Sequence, residues 1–177
     1  DEAYVDFAEQ DALDLVRGED AEPNVVLLRS LSKGYSLAGL RFGYGIGSPG
    51  LIVTLDKVRD SYNTDALSQA AAVAAMESRD VAAESWRKVV SERGEMTDAL
   101  TQRGFGVAPS QSNFVLATAP TAGPSAESIY RSLKDRDIFV RFFNQPRLAD
   151  KLRITIGTPE QNRALLDALD DLLGEGT

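Results

Sequence analysis

The sequence contains no cysteine and no histidine among its 177 residues. Without cysteine, this chain can form neither disulfides nor thiolate metal sites. Without histidine, it lacks the commonest metal ligand and the commonest general base. Zinc hydrolase chemistry and Ser-His-Asp catalysis are therefore excluded within this chain, and we expect no metal site. Any general base must be a lysine, an aspartate, a glutamate or a tyrosine.

Positive charge and long apolar runs are also scarce. The net charge of −8 argues against nucleic acid as a partner, because surfaces that bind nucleic acid are usually basic. No apolar run approaches the ~18 residues that a membrane span needs, so we expect no membrane role. No signal-peptide pattern opens the chain, and the missing initial methionine suggests a fragment of a longer protein.

Strand patterns alternate with helix patterns along the chain, which predicts an α/β fold. The apolar run 24–28 is typical of a buried parallel strand. Helices are expected at 8–17, 51–59, 65–77, 81–103, 126–135 and 159–173, and further strands at 41–46, 105–108, 113–118, 138–143 and 152–156. A domain boundary is expected between 66 and 67.

Acidic residues are absent from the window 23–55, where the chain average predicts about five. The same window is rich in glycine, which permits close backbone approach. Its cations and hydroxyls are Arg29, Lys33, Arg41, Ser30, Ser32 and Ser36. Such groups after a buried strand indicate a phosphate site, although a basic surface loop would have the same composition.

Lys33 follows the apolar strand, with arginines before and after it in sequence. Desolvation at the end of a strand and repulsion by like charge would both favour the neutral amine. A neutral amine is what a Schiff-base lysine requires.

The segment Ser30 to Tyr44, SLSKGYSLAGLRFGY, resembles the cofactor-lysine segment of class I/II aminotransferases. These are fold type I enzymes that use pyridoxal 5'-phosphate (PLP). The resemblance implies that Lys33 forms the Schiff base with PLP. It also implies that Ser30, Ser32 and Arg41 hold the cofactor phosphate.

The opening tetrapeptide, Asp1-Glu2-Ala3-Tyr4, is similar to one that lies about thirty residues before the lysine in that family. By this resemblance, Asp1 pairs with the pyridine nitrogen and Tyr4 donates to the phenolate oxygen of the ring. An ionised aspartate keeps that nitrogen protonated, so the ring can accept electrons from the substrate. Lys33 can then move the substrate proton as general base and acid.

Two later segments, 140–143 and 152–158, resemble the small domain of the histidinol-phosphate branch of the family. The resemblance implies that Arg153 binds the substrate α-carboxylate and that Arg141 meets the substrate phosphate. A bidentate guanidinium fork matches the geometry of such anions. The alternative for each arginine is a salt bridge at a strand edge.

The resemblance implies that 1–66 is the C-terminal part of the PLP-binding large domain and 67–177 the small αβ domain. The implied reaction is transamination of L-histidinol phosphate with 2-oxoglutarate in histidine biosynthesis, by a cytoplasmic homodimer. Since the remaining cofactor contacts would come from upstream residues and a partner subunit, we expect the fragment alone to be inactive. Three alternatives stay open: an aromatic or other amino acid aminotransferase, a phospho-amino-acid decarboxylase of the same fold, or a truncated, non-catalytic phosphate-binding remnant.

Overall fold

The computed structural model describes residues 1–18 and 21–174 and divides the chain into two compact units, Asp1–Arg87 and Lys88–Thr177. The helices are α1 Pro49–Asp56, α2 Ala66–Glu77, α3 Arg79–Gln102, α4 Ala126–Asp135 and α5 Pro159–Gly174. The strands are β1 Val26–Ser30, β2 Gly43–Gly47, β3 Gly106–Val107, β4 Phe114–Thr118, β5 Arg141–Phe142 and β6 Lys151–Thr155. Short 3-10 turns lie at Val5–Phe7, Leu13–Val16 and Ala38–Leu40.

The strands of the first unit form an antiparallel ribbon, in which Val26 lies opposite Gly47 and Ser30 opposite Gly43. The prediction of a buried parallel strand at 24–28 is therefore wrong for the described residues, and the side chain of Leu28 is 53% exposed. An apolar run indicates a strand but not its direction. Direction is decided here by the segment between β1 and β2, which returns the chain alongside β1.

Local sequence signals set the helix starts of the first unit. Ser48 is the N-cap residue of α1, with Pro49 in the first turn, as predicted. Asp65 caps α2, because its carboxylate accepts a hydrogen bond from the backbone N–H of Ser68 at 2.8 Å. The helix expected at 8–17 is reduced to the 3-10 turn Leu13–Val16.

The second unit contains a four-stranded antiparallel sheet in the order β3-β4-β6-β5. Alternate residues of β4 and β6 are buried, which places one face of the sheet against helices. The buried core of this unit consists of Met96, Leu100, Phe105, Val115, Ala117, Ala126, Ile129, Leu133, Leu152, Ile154, Ile156, Leu165, Ala168 and Leu169. The opposite face of the sheet remains available to carry polar side chains.

Helices α4 and α5 confirm the predictions for 126–135 and 159–173. Ser125 caps α4 by accepting a hydrogen bond from the N–H of Ser128 at 3.2 Å. At the start of α5, the buried side chain of Asn162 accepts from the N–H of Gly157 at 2.9 Å and donates to Glu92 at 2.7 Å. Asn162 thereby connects α3, α5 and the turn that follows β6.

The division of the chain into two units falls between Arg87 and Lys88, inside α3, whereas the sequence analysis places the domain boundary at the start of α2. The assignment of 1–66 and 67–177 to a large and a small domain stays a prediction. No helix within residues 1–18 and 21–174 is long and apolar enough to cross a membrane.

Candidate functional site

The loop that joins β1 to β2 brings the predicted phosphate ligands to neighbouring segments. Beyond the pair of Ser30 and Gly43, the N–H of Leu31 donates to the carbonyl of Phe42 at 3.2 Å. The hydroxyl of Ser30 accepts from the N–H of Ser32 at 3.1 Å. Residues 30–32 therefore lie beside the segment that carries Arg41, although the two are about ten residues apart in sequence.

Arg41 adopts a left-handed backbone conformation, with φ of 57°. Its guanidinium is exposed and donates from Nη1 to the carbonyl of Ala38 at 2.7 Å. Left-handed geometry is uncommon for a residue with a side chain and is found repeatedly at functional sites. Here it turns the chain from the 3-10 turn Ala38–Leu40 into β2.

Lys33 occupies a turn, in which the N–H of Ser36 donates to the carbonyl of Lys33 at 3.1 Å. The Nζ of Lys33 lies 5.7 Å from the centre of the Tyr4 ring, so two of the predicted cofactor residues come together. Contrary to the sequence expectation, Lys33 is exposed among the residues that the structure describes. The ribbon covers the lysine on too few sides to desolvate it.

The opening segment runs along the edge of β1 that β2 leaves free. The N–H of Glu2 donates to the carbonyl of Leu28 at 2.7 Å and fixes this placement. The carboxylate of Asp1 is exposed and accepts from the N–H of Ala3 at 2.9 Å. The opening segment thus carries Asp1 and also Tyr4, the residue whose ring lies near Lys33.

The acid-free window of the sequence does not remain acid-free in the fold. Arg29 forms ion pairs with Glu2 at 2.7 Å and Asp11 at 3.2 Å. Both acids precede the window in sequence, and folding brings them to it. Arg29 therefore orders the opening segment instead of serving as an anion ligand, which corrects the inclusion of Arg29 in the phosphate site.

Three residues that the sequence analysis did not assign to the site surround the lysine turn. The indole N–H of Trp86 donates to the carbonyl of Gly34 at 2.6 Å, and the rings of Trp86 and Tyr35 meet edge to face. A Cβ atom on Gly34 would collide with the carboxylate of Asp6. No local pattern in the sequence indicates this contact of Trp86, because its partner is 52 residues away.

Burial alters the pKa of Asp6 and of Tyr35, which lie beside and in this turn. Desolvation raises the pKa of Asp6 and outweighs the attraction of Arg29 and Arg79, which lowers it. Desolvation also raises the pKa of Tyr35, with a further contribution from the nearby negative charge of Asp6.

In the second unit, the two predicted substrate arginines lie directly opposite each other. Arg141 on β5 pairs with Arg153 on β6. Residues that face each other in an antiparallel pair project from the same face of the sheet. The pairing therefore places both guanidinium side chains on the face opposite the core.

The environment of Arg153 has the character of an incomplete anion site. Its Nε is buried and has no hydrogen-bond partner within the described part of the chain. Its Cζ lies 5.1 Å from the centre of the Phe114 ring, while that of Arg141 lies 5.3 Å from the Phe143 ring. No carboxylate of residues 1–18 and 21–174 forms an ion pair with either arginine, so the alternative of a strand-edge salt bridge has no support there.

Comparison with known proteins places the chain in a family. Residues 1–169 match the family Aminotransferase class I and II. The chain therefore belongs to the class I and II aminotransferases. It is 51% identical over 173 residues to histidinol-phosphate aminotransferase 1 of Nostoc sp. and 48% identical over 172 residues to histidinol-phosphate aminotransferase of Geobacter sp.. These alignments cover 98% and 97% of this chain but 48% of each relative, so the chain spans about half the length of the curated relatives it matches.

Solved structures agree with this fold. Histidinol-phosphate aminotransferase from Sinorhizobium meliloti, solved in complex with pyridoxal-5'-phosphate, superposes with a TM-score of 0.84 at 29% identity, over 99% of this chain and 48% of that one. A putative aminotransferase from Burkholderia pseudomallei gives a TM-score of 0.81 at 37% identity, over 96% of this chain and 50% of that one. The described units thus have the α/β fold of part of a fold type I PLP-dependent enzyme.

Proposed function

We propose that this chain is the C-terminal half of a PLP-dependent aminotransferase that transfers the amino group of L-histidinol phosphate to 2-oxoglutarate, in histidine biosynthesis. The observation that carries the proposal is the meeting of Lys33 and Tyr4 at the loop end of the β1–β2 ribbon. The names of the relatives at 51% and 48% identity support the choice of substrate.

The residues of the first unit fit a phosphorylated aldehyde with an aromatic ring. The ribbon end offers the hydroxyls of Ser30 and Ser32 beside the segment of Arg41, a donor set suited to phosphate. The exposed amine of Lys33 is accessible to an aldehyde. Arg29 is excluded from this set, because its charge is already balanced by two carboxylates.

When bound, PLP supplies an electron sink that stabilises the charge left at the substrate α-carbon after proton loss. The carboxylate of Asp1 would hold the proton on the pyridine nitrogen, and the hydroxyl of Tyr4 would donate to the phenolate oxygen. Ser30, Ser32 and Arg41 would bind the cofactor phosphate. Lys33 would take the proton from the substrate α-carbon and return it to the cofactor side.

The pair of Arg141 and Arg153 suits the anions of the proposed substrates. L-Histidinol phosphate carries a phosphate ester, and 2-oxoglutarate carries two carboxylates. We assign the phosphate to Arg141 and the α-carboxylate to Arg153, whose buried Nε requires an acceptor. Because both side chains lie on one sheet face, the two substrates can use neighbouring positions in turn.

Within the same proposal, the whole enzyme is a cytoplasmic homodimer that uses small-molecule substrates, with neither nucleic acid nor membrane as a partner. The sibling activities are transamination of aromatic or other amino acids and decarboxylation of a phosphorylated amino acid. Paired arginines could serve a phosphorylated amino acid as well, so substrate competition must separate these activities. The non-catalytic remnant is the remaining alternative.

Borohydride reduction of the full-length protein with PLP tests the lysine assignment. The Lys33 amine condenses with the cofactor aldehyde and releases water, and hydride then reduces the C=N bond to a secondary amine. We expect mass spectrometry to find the adduct on the peptide that contains Lys33. Lys33→Ala should abolish it, and Lys57→Ala, which removes another exposed lysine, should leave it unchanged. An adduct on a different lysine would refute the assignment, and no adduct at all would favour the remnant.

A competition assay tests the substrate assignment in the full-length protein. L-Histidinol phosphate, phenylalanine and O-phosphothreonine are offered together with 2-oxoglutarate, and amino transfer and CO₂ release are followed separately. We expect amino transfer from L-histidinol phosphate to dominate. Preferred use of phenylalanine, or release of CO₂ from O-phosphothreonine, would replace the proposal with the corresponding sibling activity.

A further inference from the structure

We infer that Trp86 is a positioning residue for Lys33, acting through its hydrogen bond to the carbonyl of Gly34. The inference rests on the proposed role of Lys33 in binding PLP. Trp86 is on α3, and its indole N–H reaches the backbone immediately after the lysine at a distance of 2.6 Å. The exposed fraction of Trp86 is 7%, so this hydrogen bond is shielded from competing water.

The turn that carries Lys33 is fixed by its backbone, whereas the lysine side chain itself is exposed. Besides the bond from Trp86, the N–H of Leu37 donates to the carbonyl of Leu31 at 3.1 Å. Leu31 is 1% exposed and anchors the start of the turn in the interior. A lysine that must both bind an aldehyde and move a proton needs this combination of a fixed Cα and a free side chain.

Two further contacts oppose displacement of the turn. The ring of Tyr35 meets the Trp86 ring edge to face, with centres 5.3 Å apart and planes at 79°. The carboxylate of Asp6 fills the space that a side chain at position 34 would need. Gly34 is therefore packed against both the carboxylate and the indole. Loss of the indole N–H removes the one directional contact to the Gly34 carbonyl that comes from a distant helix.

The hydrogen bond from Trp86 to Gly34 is also favoured energetically. The carbonyl of Gly34 lies in a buried residue, and a buried carbonyl without a donor is costly. The guanidinium of Arg79, about two helical turns before Trp86 on α3, lies 5.6 Å from the centre of the indole ring and covers it. Cation–π contact and hydrogen bond together hold the ring in a single orientation.

The test compares Trp86→Phe with the unmodified protein, in full-length form. Phenylalanine retains an aromatic ring against Tyr35 but has no N–H for the Gly34 carbonyl. The readout is the rate at which borohydride traps PLP on Lys33 at limiting PLP, measured on the Lys33 peptide by mass spectrometry. We expect a rate about tenfold lower than in the unmodified protein, because the loss of one hydrogen bond leaves the lysine turn less well positioned. A rate equal to that of the unmodified protein would overturn the inference.

A matched control separates positioning from general loss of stability. Leu133→Ala opens a cavity in the core of the second unit, far along the chain from the lysine turn, and lowers stability without touching Gly34. We expect its trapping rate on Lys33 to equal that of the unmodified protein. If Leu133→Ala slows trapping as much as Trp86→Phe, the effect is one of stability and the inference is wrong.

A second variant covers the case in which Trp86→Phe does not fold. In this variant, 3-benzothienylalanine is incorporated in place of Trp86. The side chain has nearly the same shape, but sulfur replaces the ring N–H. The same tenfold slowing is expected, and an unchanged rate would overturn the inference. If the unmodified protein itself forms no adduct on Lys33, the proposed function fails instead, so the two failures can be told apart.

Discussion

The neighbours of an arginine decide what its guanidinium can do, as Arg29 and the pair Arg141 and Arg153 show. Arg29 is matched by two carboxylates and stabilises the opening segment. Arg153 has aromatic contact, but its Nε has no hydrogen-bond partner among the residues that the structure describes, and it lies opposite a second cation. Like charges directly opposite on neighbouring strands destabilise a sheet, and a bound anion, as proposed for this pair, would offset that repulsion.

The first prediction concerns Arg141→Ala in the full-length protein. We expect the KM for L-histidinol phosphate to rise about tenfold or more, because a charge-assisted hydrogen bond to phosphate is lost. The KM for a substrate without phosphate should change much less. Steady-state kinetics with both substrates measure the difference. Arg131→Ala, which removes an exposed arginine on α4, is the matched control and should leave both constants unchanged. Equal rises in the two KM values would remove the phosphate role from Arg141.

The second prediction concerns pH and Asp6. Because burial raises the pKa of Asp6 above 3.8, the folded state binds this proton more tightly than the unfolded state does. Stability should therefore fall as pH rises from 3.8 through the raised pKa, and stay lower at neutral pH. Asp6→Asn has no proton to lose. We expect it to melt at a higher temperature than the unmodified protein at pH 7, with a difference that shrinks toward pH 3. Thermal unfolding across that range measures it, and a difference that grows toward acid would contradict the sign.

Among the elements, those of the second unit follow most directly from sequence. The helix Ala126–Asp135 was predicted to the residue, because Ser125 is a good cap and the apolar positions repeat with helical spacing. The strand Lys151–Thr155 alternates buried and partly exposed residues, and this period is visible in the sequence. Local sequence patterns are sufficient to predict an element when one of its faces packs against a core and the other is exposed.

The elements of the first unit depend more on contacts between distant residues. The antiparallel direction of β1 and the ion pairs of Arg29 involve partners that no local pattern specifies. The lysine motif was evident from its residues, but the bond from Trp86 to Gly34 was not. For the same reason, sequence alone could not place Arg141 opposite Arg153, since strand register is set by the whole sheet.

The third prediction concerns the buried hydrogen bonds through which Asn162 connects α3, α5 and the turn after β6. Its amide bonds to Gly157 and to Glu92, so Asn162→Ala leaves buried polar groups without partners. We expect the free energy of unfolding to fall by about 1–3 kcal/mol, measured by denaturant titration. The neighbouring exposed residue gives the control: Gln161→Ala loses a bond to the N–H of Thr158 in water-accessible surroundings and should cost ~1 kcal/mol or less. If Asn162→Ala lowers the free energy of unfolding no more than Gln161→Ala does, the connection through Asn162 does not stabilise the fold.

On the scale of the whole chain, buried apolar residues are distributed unevenly. All fourteen members of the main core cluster lie between Met96 and Leu169, in the second unit. In the first unit, the buried apolar side chains in the described ranges are Phe7, Leu27, Leu31, Ala72 and Trp86. Large apolar side chains of that unit are exposed instead, among them Leu28, Val58, Tyr62 and Leu67. Since burial of apolar area is the main stabilising contribution, the second unit should be the more stable.

The last prediction follows from this distribution and applies to the 177-residue chain. We expect amide hydrogen exchange to be slow in β4 and β6 and at least tenfold faster in β1 and β2, because the first unit opens without unfolding the second. Val115→Ala, at a fully buried position of β4, should speed exchange in β4 and β6 and leave β1 and β2 unchanged. Mass spectrometry of protease fragments resolves the two regions. Uniform protection along the chain, or faster exchange everywhere in Val115→Ala, would mean that both units unfold as one cooperative body.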